Sequence, residues 1–291
     1  MPPPRLVLWQ RVLAAAGVLL AVLLVVVMTL TAEPFEPDAL GPGQDARAYW
    51  AVPMDDPYAP GSVGQESAYL YSPAFLQVLA PLRVLPWPAF LCLWTVLLLL
   101  VLRWLSGALL FGPLIILTFP ELWGGNITIL LAAMIVAGFA RPGVWAFALL
   151  TKVTPALGLA WFAVRREWRA LAEAGAVTAA IVGVSWLLAP AQWADWIDLL
   201  LSSTGSSTVP GSVPIPLLVR APIALVVIAW AALRGWRWLL PVGVLLAMPV
   251  IWWGSFALLV ASVALERGRL EAALGARVAR VTPRPDAVTS G

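Results

Sequence analysis

The 291 residues are 62% hydrophobic and 11% charged, and the apolar residues fall in runs of membrane-spanning length, which excludes a soluble globular domain. The net charge of +3 is no nucleic-acid signal, because fourteen of the 18 basic residues sit in short segments assignable to one side of a membrane. Histidine is absent, and the single cysteine, Cys92, lies in an apolar run, so any chemistry rests on carboxylates, lysine or arginine.

In water-free hydrocarbon only helices and closed barrels satisfy every backbone polar group, so the runs predict an all-α, polytopic transmembrane helical bundle. The whole chain, 1–291, reads as one integral membrane domain with both termini in the cytoplasm. The first span is 12–31, retained rather than cleaved as a signal. The loop that follows, 32–72, carries Glu33, Glu36, Asp38, Asp45, Asp55, Asp56 and Glu66 against Arg47 alone, which places it outside. Such a loop is too long for a plain connector. Within it Asp45–Trp50 has no helix breakers, and a short helix there sets Asp45 and Tyr49 on one face.

The remaining membrane helices occupy 73–265. Segment 74–85 is too short to cross and is closed by Pro86-Trp87-Pro88, so it lies along or dips into the outer leaflet. A span from Ala89 to about Leu105 brings Arg103 inside. Runs 107–120 and 127–140 follow, joined by an outward apex at Glu121–Asn126. A straight helix over 142–164 would put Arg165, Arg166 and Arg169 outside, against the charge rule. A re-entrant pair of half-helices with its apex at Lys152–Pro155 keeps both ends inside. Spans 171–189 and 217–233 flank a polar outer loop, and 238–265 forms a hairpin with its apex near Trp252-Trp253. The tail 266–291 is cytoplasmic, disordered or interfacial, and fit to touch anionic lipid. Every break in this scheme faces outward, which suggests a cavity open to the outer face.

Asp45 follows a flexible Gly-Pro-Gly and is the candidate general base, although count alone makes it one of seven loop acids. Lys152 is the only lysine, and an ionisable group at membrane depth is functional by default. With Thr154 as N-cap and Pro155 as first helical residue, a helix N-terminus would join Lys152 in an anion site; the alternative is a snorkelling lysine. Asn126 and Thr128 fit the glycosylation sequon but open an apolar helix, which favours polar lining of the cavity. Glu121 reads as an interfacial charge and the tryptophans as interface anchors. Asp55-Asp56 makes a poor metal pair, and no metal site, glycine-rich phosphate loop or Ser-His-Asp set is visible.

Four of these elements, in this order, resemble glycosyltransferase family 87, the polyprenol-phosphate-mannose-dependent mannosyltransferases of the GT-C fold. Asp45 and Tyr49 match a D-x-x-x-Y element after the first span, with Asp56-Pro57-Tyr58 after it. Tyr71-Ser72-Pro73 resembles a Tyr-Pro-Pro element, and Gly125-Asn126-Ile127-Thr128 a Gly-Gln-x-Asn helix start. Lys152-Val153-Thr154-Pro155 with the basic stretch Arg165–Arg169 matches Lys-x-Thr-Pro. A late Ser-Pro-x-x-Trp-x-His region is represented by Met248–Gly254, with Trp252 but without the histidine, and Arg220 stands where an arginine follows a lost Asn-Gln-Ser element.

The resemblance implies a cell-membrane glycosyltransferase moving a sugar, mannose first, from a polyprenyl-phosphate donor to a lipid or glycan acceptor on the extracytoplasmic face with inversion. Asp45 would be the base; the residues themselves supply a positive site for the donor phosphate in Lys152, helped by Arg220, and Tyr49, Tyr71, Asn126, Thr128, Thr154 and Trp252 would line the cavity. It calls for no cofactor, and its partners are the two substrates and membrane lipids, not nucleic acid. A lipid or solute transporter and an inactive relative acting as a partner subunit are the competing readings.

Overall fold

The computed structural model of the chain describes residues 4–32, 41–59, 68–203 and 211–281. Among these it has helices and turns and no strand, the architecture of an all-α polytopic membrane protein. The first-loop acids Glu33, Glu36, Asp38 and Glu66, and most of the polar loop after residue 203, lie outside the described residues. Among the described residues four helices are long and apolar enough to cross a bilayer, over Leu8–Leu30, Trp87–Leu117, Trp168–Leu188 and Leu217–Arg234. Their outer faces carry bare hydrocarbon, with Leu187 84% and Leu218 82% exposed, a surface that lipid covers and water does not.

Helix α1 (Pro4–Leu30) leads to a short helix, α2 (Gln44–Ala51), as the sequence predicts around Asp45. Segment 73–84 folds as α3 (Pro73–Leu79) followed by a 3₁₀ turn, Ala80–Val84, and is too short to cross. Next comes α4 (Trp87–Leu117), whose backbone leaves helical geometry at Gly107, with φ 69° and ψ −177°. The chain reverses there. Trp87 bonds Ala32 and Thr95 bonds Met28, so the first limb runs antiparallel to α1. Beyond the break, Ala108 and Leu109 lie beside Arg11 and Ala14, and Gly112 beside Gly17, so the second limb runs parallel to α1. The Arg103 guanidinium, four residues before the break, sits 6.0 Å from the ring of Phe111, four residues after it. Arg103 therefore marks the turn end, as the charge pattern requires.

The second limb delivers α5 (Phe119–Gly124), and Gly125 in the left-handed region turns the chain into α6 (Thr128–Gly138). The disputed segment 142–164 is a hairpin. A 3₁₀ turn at Pro142–Trp145 and helix α7 (Ala146–Leu149) form one arm; a second 3₁₀ turn, Thr154–Leu159, and α8 (Ala160–Val164) form the other. The arms pack side by side: Trp145 meets Phe162 ring to ring, and a Cβ on Gly158 would collide with the Trp145 indole. Both outer ends reach their neighbours' basic ends. Gly143 donates to Glu173 of α9 (Trp168–Leu188), and Arg165 donates to Ala232 near the end of α11 (Leu217–Arg234).

Between those helices lies α10 (Pro190–Ser203), pinned by Trp193 and Trp196. The last stretch is also a hairpin, with α12 (Leu240–Leu246) packed against the 3₁₀ turn Gly254–Leu259 and the start of α13 (Val260–Val281). Helix α13 corrects one expectation: residues 267–281 are helical, continuing the hairpin arm, and only 282–291 fall outside the described residues. Its i,i+3 pair Arg269–Glu266 at 2.9 Å supports that helix, by little because Arg269 is solvent-facing.

Helix α1 meets the second limb of α4 at Gly17 and Gly112, where an added Cβ would lie 3.0–3.2 Å from opposing backbone. Glycine at both positions allows that approach, and a side chain there would push the helices apart. Gly112→Leu is expected to lower the thermal unfolding midpoint in detergent through a loss of about 1–3 kcal/mol. Gly183→Leu on lipid-facing α9, where a Cβ meets nothing within 4 Å, should leave the midpoint unchanged.

Candidate active site

Apart from the Gly107 reversal, which lies at the Arg103 end, the breaks meet at the end of the bundle opposite Arg103, Arg141, Arg165 and Arg234. Helix α2 is set there by Gly43, which takes φ 76°, donates its N–H to Trp123 at 2.7 Å and has Leu91 and Trp87 where a Cβ would stand. On the opposite side of the same turn, the Trp94 indole donates to Gly125 at 2.7 Å. The first bond holds α2, and the second holds α4, against the α5–α6 turn. In consequence the Asp45 carboxylate accepts a 2.9 Å hydrogen bond from the Asn126 amide, whose own oxygen accepts the Ile127 N–H at 2.7 Å. Gly124 makes room for the carboxylate, since a Cβ there would lie 3.0 Å from Oδ2.

Asp45 keeps an open surface and yet has protein packed around most sides, the condition of a group on the floor of a cleft. That crowding strips water from the carboxylate and raises its pKa above the ordinary 3.8, while the Asn126 bond and the Lys152 charge pull it back part of the way. A carboxylate poised in this way is a better base than a free surface aspartate.

Lys152 rises to the same place on the hairpin apex. Val153 has φ 51° and ψ −63°, and Thr154 N–H returns to the Lys152 carbonyl at 2.6 Å, which closes a γ-turn on a β-branched residue. This strained turn leaves Lys152 half-buried, with its charge reaching both Asp45 and Glu121. Among the described residues its ammonium has no hydrogen bond and no ion pair within 4 Å, so it is available to an anion.

Behind Asp45 lies a buried aromatic cluster. The Tyr49 and Tyr71 hydroxyls are 3.1 Å apart, and the Tyr49 ring packs edge-on to Tyr71, Phe75 and Trp94 at 5.3–5.6 Å. Ser72 N–H bonds the Leu150 carbonyl, which ties this cluster to the Lys152 hairpin. Phe75 then continues into a cavity of about 610 Å³ beside α3, lined mainly by Val78, Phe147, Leu150, Val177 and Ile181. Arg141 and Glu173 mark its far end. An apolar slot therefore begins beside the site and runs towards the basic end.

The structure brings Asp45, Tyr49, Tyr71, Asn126 and Lys152 together. It does not bring Arg220, which is 2% exposed and spends its guanidinium on the carbonyls of Ile215, Leu246, Met248 and Pro249 at 2.7–2.9 Å. That arginine holds the last hairpin to the start of α11, because the breaks around Pro249 leave carbonyls without helical partners. Thr128 is 1% exposed, with its hydroxyl enclosed rather than lining the cleft. Thr154 is the first residue of a short 3₁₀ turn and caps nothing, so no helix N-terminus supports Lys152. Trp252 stands at its hairpin apex over Gly211, with no hydrogen bond to the Asp45 group.

Sequence reasoning missed Glu121. It is no interfacial charge: it is 4% exposed, accepts the Thr128 N–H at 2.6 Å and faces Gly254, where a Cβ would stand 2.8 Å from Oε2. Burial raises its pKa to about 7. The rule that singled out Lys152, an ionisable group flanked by apolar residues, points equally to Glu121 between Phe119-Pro120 and Leu122-Trp123. Among the described residues no group of three or more His, Cys, Asp or Glu is placed to hold a metal ion.

The model of glycosyltransferase family 87 matches residues 69–282, which is well over half of the chain. The chain belongs to glycosyltransferase family 87. The matched region contains Lys152, Glu121, Asn126 and both hairpins, whereas Asp45 precedes it and joins the site through Asn126. No curated protein and no solved structure matches this family 87 chain.

A base with a raised pKa loses its active form as pH falls through that raised value. In Asn126→Ala the bond that lowers the Asp45 pKa is gone. The acid limb of the glycosyl-transfer rate should therefore move to higher pH, with a rate loss of about 10–100-fold at neutral pH, read from initial rates across a pH series.

Proposed function

We propose that this family 87 glycosyltransferase moves a sugar, mannose in the first instance, from a polyprenyl-phosphate donor to a hydroxyl of a lipid or glycan acceptor. The reaction takes place on the extracytoplasmic face of the cell membrane. The observation that carries the reading is the pairing, on one cleft floor, of an accessible carboxylate held by Asn126 with an unpartnered lysine, beside an apolar slot. A lipid-linked sugar phosphate has the same three parts in the same order.

Asp45 accepts the proton as the acceptor oxygen attacks the anomeric carbon. The bond from that carbon to the phosphate oxygen breaks, its electron pair leaves with the polyprenyl phosphate, and the configuration inverts. Lys152 meets the charge that grows on the leaving phosphate, in a crowded site where a fixed cation counts for more than in water. The prenyl chain takes the slot beside α3, between Phe75 and Ile181. No step asks anything of Arg220.

The orientation follows from charge. Arg103, Arg141, Arg165, Arg234 and Arg237 lie at the end away from Asp45, with Arg237 4.9 Å from the ring of Phe139 and Arg234 beside Trp236. The positive-inside rule makes that end cytoplasmic, along with both termini, and the cleft extracytoplasmic.

The test is transfer of radiolabelled mannose from polyprenyl-phosphate-mannose to extracted glycolipid by the purified chain in nanodiscs. Wild type should give product of inverted anomeric configuration, and Asp45→Asn should lose about 10²–10⁴-fold in rate while keeping its melting transition. An Asp45→Asn rate equal to wild type would remove Asp45 as the base. A wild-type chain that uses neither this donor nor polyprenyl-phosphate-arabinose would remove the lipid-phosphate donor.

A further inference from the structure

A second cavity, of about 440 Å³, opens at the Arg103 end of the bundle, where α1, the start of the second limb of α4 and α13 come together. Gln10, Arg11 and Ala14 line it from α1, Ala108 and Leu109 from α4, and Glu271 from α13. Its size falls among small-molecule sites, which run from about 300 to 1,000 Å³. It shares no lining residue with the Asp45 cleft.

The cavity carries one charge of each sign. Among the described residues neither Arg11 nor Glu271 has a hydrogen bond or an ion pair within 4 Å. Glu271 is half-buried over the reversal, where a Cβ on Gly107 would stand 2.9 Å from its Oε1. Its ordinary helical partner would be Arg267, four residues earlier on α13. That guanidinium instead donates to the Trp104 and Leu105 carbonyls, at 2.9 and 3.5 Å, at the end of the first limb of α4. Arg269 is paired with Glu266, and Arg103 lies 6.0 Å from the Phe111 ring.

An apolar surface continues from the cavity towards the middle of the bilayer. Helix α1 and the second limb run parallel there, so Val18, seven residues after Arg11, and Ile116, seven after Leu109, each share a face with the residue at the cavity. Val18 is 54% and Ile116 66% exposed. A phospholipid has the same order of parts, a charged head and then hydrocarbon. We propose that the cavity seats the headgroup of an ethanolamine phospholipid, with Arg11 and Gln10 donating to the phosphate, Glu271 accepting from the ammonium, and the acyl chains lying along Val18 and Ile116. A headgroup of net negative charge would set its surplus against Glu271, and a choline headgroup has no N–H to donate to it. The lipid would bridge α1, α4 and α13 at the reversal, whatever reaction the Asp45 cleft performs.

The experiment titrates the intact, delipidated chain in detergent with phosphatidylethanolamine, phosphatidylglycerol and phosphatidylcholine of identical acyl chains, and reads the first bound lipid by native mass spectrometry. Wild type should bind the ethanolamine lipid about tenfold more tightly than either of the others. Glu271→Gln should bring the three within about twofold of one another, and Glu271→Lys should make phosphatidylglycerol the preferred lipid. Arg11→Gln should weaken all three by about tenfold. Arg166→Gln, at an exposed basic residue of the same end that does not line the cavity, should change nothing.

Wild type that holds the ethanolamine lipid no more tightly than the other two overturns the proposal. A preference that survives in Glu271→Gln, with its melting transition intact, makes Glu271 a helical partner of Arg267 and removes the ammonium contact. Undiminished binding by Arg11→Gln removes the phosphate contact. The wild-type comparison needs no substitution, so a variant that fails to fold does not rescue the idea.

Discussion

A helix broken inside a bilayer frees N–H and C=O groups that hydrocarbon cannot satisfy, and the arrangement of this chain follows from where those groups find partners. Gly43 N–H goes to Trp123, the Trp94 indole to Gly125, Ser72 N–H to Leu150, and the carbonyls around Pro249 to Arg220. Each pairing ties a break to another break or to a neighbouring helix. These breaks consequently gather at the end away from the Gly107 reversal, and the polar side chains that flank them, Asp45, Asn126, Glu121 and Lys152, are brought within electrostatic reach although they are spread over more than a hundred residues. The cleft is a consequence of solving the backbone problem in one place.

This view explains why the glycines at the site are structural parts rather than spacers. Gly43 and Gly125 adopt left-handed conformations that let α2 lie against the α5–α6 turn. Gly124 and Gly254 leave space for the two carboxylates. A methyl group at any of the four would push into Asp45, Glu121 or the contacts that set them. Val153 does the opposite: a β-branched residue held at positive φ, it keeps the Lys152 turn strained, a state that persists only because the two hairpin arms are packed together by Trp145, Gly158 and Phe162.

Much of the fold could be read from charge and breakers. The placement of basic residues alone required reversals after Arg103, within 142–164 and near Trp252, and all three are present. The short helix on Asp45 and the noncrossing segment 73–84 were legible for the same reason, since length and helix breakers leave few options. Four things were not. Arg220 looked like a free cation because nothing in a linear sequence announces carbonyls orphaned by a distant Pro249. Thr154-Pro155 looked like the start of an α-helix because a Thr-Pro pair carries the same signal whether α or 3₁₀ follows. Glu121 looked interfacial because hydropathy locates a break but not which of its residues turn inward. The continuation of α13 past Arg267 was hidden by its many charges, which suit an exposed amphipathic helix as well as an unstructured tail.

The measurement that tests the account most directly is a cryo-EM map of the chain in nanodiscs with polyprenyl phosphate. Phosphate density is expected between Lys152 and Asp45, with the isoprenoid chain leaving along Phe75, Val78, Phe147 and Val177. Phosphate density at Arg220, or a chain seated away from α3 and α9, would contradict it.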